Sequence, residues 1–120
     1  MAPPTSKVIY KVLSSEQWAD AEKQGKFLGA AVDLEDGYIH FSTAAQVEET
    51  VAKHFAGQSD LILLGVAPEK LDDLRWEPSR GGDLFPHLYG VLSLDAVCSV
   101  SELPLGKNGQ HIFPNDLVYD

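Results

Sequence analysis

Hydrophobic positions along the chain change their period several times, and the changes mark out elements. Lys7 to Leu13 carries Val, Ile and Tyr in the manner of a strand. Ser14 then opens a helix with Gln17 three residues on, the capping-box spacing, and Gly25 closes it. Trp18, Ala21 and Gly25 fall on one helical face, so Trp18 is read as the anchor that packs this helix on a sheet. Phe27 to Asp36 has mixed polarity and two glycine-flanked ends, and Asp36-Gly37 is a turn dipeptide before a strand at Tyr38-Ile39-His40-Phe41. Thr43 and Gln46 repeat the capping-box spacing ahead of Val47, Val51 and Phe55, predicting a second amphipathic helix that runs to Gly57.

The most apolar stretch, Asp60 to Ala67, is too short for a typical helix and reads as a central strand buried on both faces. Pro68 stops it. Glu69 to Leu74 reads as a helical turn or loop, Arg75-Trp76-Glu77 as a short strand, and Ser79 to Asp83 as a Gly-Gly loop. Leu84 to Leu92 and Ala96 to Leu103 supply the last strands. Residues 104–120 read as an extension that packs back on a single domain, and residues 1–6 as a flexible N-terminus. Two early helices among about six short strands, with links too short for parallel crossovers, define an α+β class with a mainly antiparallel sheet.

Composition narrows the partners. A chain of 120 residues with 44% hydrophobic content has the size and make-up of one globular domain. Eighteen acidic against nine basic residues give a formal charge of −9, which repels phosphate backbones and anionic lipid at long range, so neither nucleic acid nor a membrane is an expected partner. Arg75 and Arg80, the only arginines, stand close together and read as solvated or as a local anion site. The lone Cys98 reads as a small apolar filler in a strand. With no basic-then-apolar leader and no long apolar run, a cytoplasmic location is expected.

Candidate chemistry collects in two segments. His40 lies between Ile39 and Phe41, so in a strand it points to the opposite face, with Tyr38 and Ser42. Ser42 and Thr43 sit where the second helix begins and are suited to capping it, to binding a ligand hydroxyl or phosphate, or to both. In Phe85-Pro86-His87-Leu88-Tyr89-Gly90, alternation puts Phe85, His87 and Tyr89 on one face. Glu77 faces away from Trp76; it either shares a cleft with His40 and Tyr89, as a stabilising charge or general base, or pairs locally with Arg75. His40 and His87 on strands could be zinc ligands, but they lack the usual close-spaced ligand pair, such as two His four apart on a helix, so no metal site is expected, and His54 and His111 read as surface residues. Ser42, a histidine and an Asp are all present, but without a G-x-S-x-G elbow hydrolysis by a serine triad is disfavoured.

These residues carry a family likeness. Ile9-Tyr10 with Trp18 beyond, Gly37-Tyr38-Ile39-His40-Phe41-Ser42-Thr43, Gln46-Val47, Asp60-Leu61, Leu63-Leu64, Trp76-Glu77 and Leu84-Phe85-Pro86-His87-Leu88-Tyr89-Gly90 together resemble domain-of-unknown-function family 952. The resemblance implies a fold related to ADP-ribosyltransferases, with a split, twisted sheet around an NAD-binding cleft, and no established activity. It places Tyr10 and Lys11 at the first-strand position that helps seat the dinucleotide, with Lys11 where many members carry His. It sets Ser42 and Thr43 at the element lining the nicotinamide pocket. By order along the chain, Glu77 matches the late-strand glutamate that stabilises an oxocarbenium-like ribose.

Three readings follow from this pattern. One is an ADP-ribosyltransferase-like enzyme or NAD processor, with NAD as substrate, His40 and Glu77 as its catalytic candidates, and Tyr10, Lys11, Ser42, Thr43, Phe85, His87 and Tyr89 around the ligand. The second is a non-catalytic module for a nucleotide or other small molecule. The third is a structural or protein-interaction domain, which requires that His40, Ser42, His87 and Tyr89 do not converge around one cavity.

Overall fold

A computed structural model describes residues 7–119; the expected flexible N-terminus, residues 1–6, and the side chain of Arg80 lie outside the described residues. The first strand, β1 (Ile9–Ser14), leads into α1 (Ser15–Gln24) through the predicted capping box: Ser14 Oγ accepts from the Gln17 N–H at 3.0 Å, and Gln17 Oε1 accepts from the Ser14 N–H at 2.9 Å. Gly25 ends the helix at φ 77°, a left-handed conformation that glycine adopts without Cβ strain. A short strand, β2 (Lys26–Phe27), precedes a helix that the pattern did not predict, α2 (Ala31–Asp36). Its apolar residues Val32 and Leu34 are exposed and its one buried side chain is Asp33, so it has no apolar stripe to betray it.

After β3 (Ile39–His40) comes α3 (Ala44–His54), shorter than expected because Phe55 already leaves helical geometry. The remaining strands are β4 (Leu61–Val66), β5 (Leu74–Pro78), β6 (Leu84–Leu88), β7 (Leu92–Ser93) and β8 (Val97–Leu103). Short 3-10 turns at Pro68–Lys70, Arg80–Gly82 and Leu94–Ala96 link several of them. Among the described residues every strand pair is antiparallel, in three sheets ordered β1-β4-β8, β2-β7 and β3-β6-β5. The class is α+β, with the expected sheet divided into three.

The central strand β4 is buried along its whole length, as its apolar run predicts. Leu61 and Leu63 face α3 with Tyr10 and Val12, and Phe113 and Leu117 of the C-terminal segment pack on that layer. Ile62, Leu64 and Val66 face the other way with Ile9 and Leu13, toward Ala21, Phe27, Ile39, Leu88 and Leu92. Trp18 packs half-buried on this second layer. The edge strand β8 is mostly exposed, and Cys98 is exposed with it rather than filling the core. The register shift between Gly65 and Val66 leaves Cys98 without a partner on β4. Among the described residues no helix is long and apolar enough to cross a membrane.

Leu64 and Val100 are partners across β4 and β8, yet Leu64 is fully buried and Val100 is 48% exposed. We expect Leu64→Ala to lower unfolding free energy by about 2–5 kcal/mol in urea denaturation, and Val100→Ala to stay within about 0.5 kcal/mol of the parent.

Candidate functional site

The sheet β3-β6-β5 has two unlike faces because side chains alternate along each strand. Ile39, Leu88, Leu74 and Trp76 turn toward the core. The register pairs His40 with His87, His87 with Arg75, and Glu77 with Phe85, so these side chains share the other face. Tyr38 and Tyr89 extend it beyond the strand ends.

Four rings gather there. Tyr38 stacks on His87 with centroids 4.2 Å apart and planes at 27°, and it also lies 4.7 Å from His40 and 5.1 Å from Tyr89. His40 meets His87 edge-on at 5.5 Å. His87 is only 3% exposed under this cover. Glu77 ties the cluster from below: its Oε1 accepts from the Tyr89 hydroxyl at 2.7 Å and lies 2.9 Å from His87 Nδ1. Those two donors, Tyr89 first, hold the Glu77 carboxyl below the ordinary carboxylate range. An ionised carboxylate only accepts, so His87 Nδ1 carries the proton of that bond. The same bond pushes the Tyr89 hydroxyl up, and burial followed by the Asp36 and Glu77 charges does so for Tyr38.

A second charge cluster supports His40 from behind. Lys11 has the parity of Ile9 and Leu13, and its ammonium reaches Asp33 Oδ1 at 3.1 Å and Oδ2 at 2.9 Å. Asp33 Oδ2 also accepts from the Ala30 N–H at 2.8 Å, while Oδ1 accepts from the His40 N–H at 3.1 Å and lies 2.6 Å from His40 Nδ1. The other ring nitrogen, Nε2, is 2.8 Å from Asp36 Oδ2. Burial pushes the Asp33 carboxyl up, but the His40 hydrogen bond, the Lys11 charge and the Ala30 amide outweigh it and hold the group well below the ordinary range. For Lys11, burial wins over Asp33 and lowers the ammonium.

Not every sequence candidate arrives at this face. His40, His87, Tyr89 and Glu77 meet there, and Phe85 is buried on the same side of β6. Tyr10 points to the opposite face of β1, where its hydroxyl accepts from the Val118 N–H at 2.7 Å. Ser42 does not share the face of His40. Strand β3 is two residues long, and the chain then leaves β6 so that Ser42 bridges Tyr10 of β1 and its Oγ meets Thr50 Oγ1 at 2.9 Å. Thr43 caps α3, with its N–H donating to Gln46 Oε1 at 3.0 Å. Lys11 faces Asp33, behind His40, and not the rings. The local Glu77–Arg75 pairing is replaced: Arg75 forks onto Asp73 at 3.0 and 3.2 Å and lays its guanidinium 4.2 Å over the Tyr89 ring. The side chain of Arg80, the other half of that arginine pair, lies outside the described residues.

His54 is exposed, and His111 Nε2 donates to the Gln58 carbonyl at 2.7 Å. Among the described residues no group of three or more His, Cys, Asp or Glu is placed to hold a metal ion. Two concavities open elsewhere. One of about 200 Å³ lies under the C-terminal segment beside Tyr10, Cys98 and Val118, and one of about 530 Å³ lies beside Lys11, Gln17 and Phe55. The ring cluster lines neither of these two.

Sequence reasoning missed Asp33 and Asp36. Both lie in α2, whose lack of an apolar stripe hid the helix. The available signal was Gly29 and Gly37 bracketing a short segment with Asp33 three residues after Ala30, the position from which a carboxylate reaches back to the N-cap amide.

With this geometry in place, the family is clear. The model described as "Protein of unknown function (DUF952)" matches residues 12–100, and the chain belongs to that family. It is similar to protein CC0527 from Caulobacter crescentus, whose crystal structure shares 49% identity at a TM-score of 0.84, covering 88% of this chain and 93% of that one. The solution NMR structure of the same protein gives 50% identity and a TM-score of 0.78, over 87% and 90% of the two chains. No curated protein matches the chain.

Removing one member of a buried pair strands the other. We expect Asp33→Ala to cost about 3–5 kcal/mol at pH 7, and Lys11→Met combined with Asp33→Leu to recover most of it. Because the folded Asp33 carboxyl lies below its unfolded value, its contribution is complete above the ordinary carboxylate range and fades as pH falls beneath it. Urea titrations should therefore show the gap between parent and Asp33→Ala narrowing as pH drops below about 4.

Proposed function

We propose that the protein binds a small ligand on the polar face of β3-β6-β5, with NAD or a related nicotinamide nucleotide as the ligand class. In this reading Glu77 stabilises the ribosyl centre as its bond to nicotinamide weakens. One observation carries the proposal: Glu77 Oε1 is tethered by Tyr89 and His87, while Oε2 has no hydrogen-bond partner among the described residues, and the side chain is 34% exposed. An ionised carboxylate with one oxygen fixed and the other open is oriented before the ligand arrives, so its stabilisation grows with developing positive charge. The C1′–N bond breaks with its electron pair leaving on nicotinamide, and water or an acceptor hydroxyl adds at C1′ with loss of a proton.

The nucleotide class comes from the ADP-ribosyltransferase-like fold that the family resemblance implies. The site is smaller than that likeness implies, since Tyr10, Ser42 and Thr43 serve the core and a helix cap. His40 and Glu77 remain its catalytic candidates, with Phe85, His87 and Tyr89 around them. A cytoplasmic setting belongs to the same reading and agrees with one exposed, unbridged Cys98. The burial of His87 favours a second reading, a binding module without turnover, because a covered ring offers little reactive surface.

Nicotinamide release from NAD, measured by chromatography, separates the two. We expect release by the parent, a loss of about a hundredfold in Glu77→Gln, and NAD binding by Glu77→Gln within a few fold of the parent in calorimetry. Binding without release selects the module. Absence of both overturns the nucleotide reading.

A further inference from the structure

We infer that Tyr38 is a placeholder: its phenol ring occupies the seat on His87 that a planar aromatic ring of the ligand takes, and it swings aside to yield that seat. This deepens the proposed function and rests on its reading of the face as a ligand site. The first support is geometric. Tyr38 stacks on His87 at 4.2 Å and 27° while lying near both His40 and Tyr89, so one planar ring fills the space bounded by three others. Lifting it uncovers His87, which is 3% exposed beneath it, and opens a slot walled by His40 and Tyr89 above the Glu77 carboxylate.

The second support is how each ring is held. Tyr89 is bonded through its hydroxyl to Glu77, His87 through Nδ1 to Glu77, and His40 through both nitrogens to Asp33 and Asp36. Among the described residues the Tyr38 hydroxyl has no hydrogen-bond partner, so ring stacking alone keeps the side chain in place. Its backbone is anchored, with the N–H donating to the Asp33 carbonyl at 3.2 Å just after the left-handed Gly37. Release therefore needs only rotation about side-chain bonds. A ligand ring that stacks equally well on His87 restores the stacking that Tyr38 gives up, and the closed site keeps water off His87 until then. The ligand chemistry this selects is a flat heterocycle of one or two rings, attached to a group that meets Glu77 Oε2.

The test uses the full chain and NAD as the probe. Calorimetric titration of parent, Tyr38→Phe and Tyr38→Ala should give about tenfold tighter binding for Tyr38→Ala, because the self-stacked state no longer competes, with Tyr38→Phe like the parent. Carbethoxylation by diethyl pyrocarbonate, mapped by mass spectrometry, should reach His87 slowly in the parent, about tenfold faster in Tyr38→Ala, and slowly again when NAD is added to that variant. Equal carbethoxylation in parent and Tyr38→Ala, with circular dichroism unchanged, overturns Tyr38 as the cover. Parent binding that is matched or weakened in Tyr38→Ala overturns the placeholder. If neither protein binds NAD, the nucleotide reading fails, and the carbethoxylation rates still decide whether Tyr38 covers His87.

Discussion

The carboxylate of Asp33 is where β1, α2 and β3 are joined. It is 2% exposed and takes three donors at Oδ1 and two at Oδ2, drawn from Lys11, Ala30 and His40. A buried Lys–Asp pair by itself roughly breaks even, since stripping water from two charges costs several kcal/mol per ion. Here the additional amide and imidazole donors complete the carboxylate's shell, and an arrangement that depends on all of them has one geometry. The helix α2, with Val32 and Leu34 in solvent, has little apolar surface to hold it; Asp33 supplies its attachment.

From that attachment the polar face is ordered in sequence. Asp33 fixes the His40 backbone and ring, Asp36 takes the other ring nitrogen, and the turn at Gly37 delivers Tyr38 over His87. On the opposite side Glu77 fixes His87 and Tyr89, and Arg75 lies across the Tyr89 ring. Three carboxylates thus hold two histidines whose rings meet at 5.5 Å, with one tyrosine closing the gap. An apolar face on the same sheet packs into the core, so His40, Glu77 and His87 are displayed from paired strands.

Much of this was legible from strand and helix periods. Opposite parities of Ile39 and His40 follow from two-residue alternation, and Ser14, Gln17 and Gly25 announce α1 through chemistry confined to a few neighbours. The same rule failed for Ser42, because parity holds only while the strand lasts and β3 ends at His40. It failed for Cys98 because burial on an edge strand depends on what covers it. The helix α2 escaped because its inward residue is charged, and a pattern read from hydrophobicity has no symbol for a buried carboxylate ringed by donors.

What the sequence by itself determined is local: the order and kind of most elements, the wholly buried β4, and the separation of His40, His87 and Tyr89 from the apolar positions beside them. Tertiary structure alone decided which polar groups meet. Lys11 and Asp33 are 22 residues apart, and Glu77 and Tyr89 are 12 apart. Periodicity acts over a turn or a strand, whereas these pairings depend on strand register and on the free energy of burying charge, and both are properties of the whole packed chain.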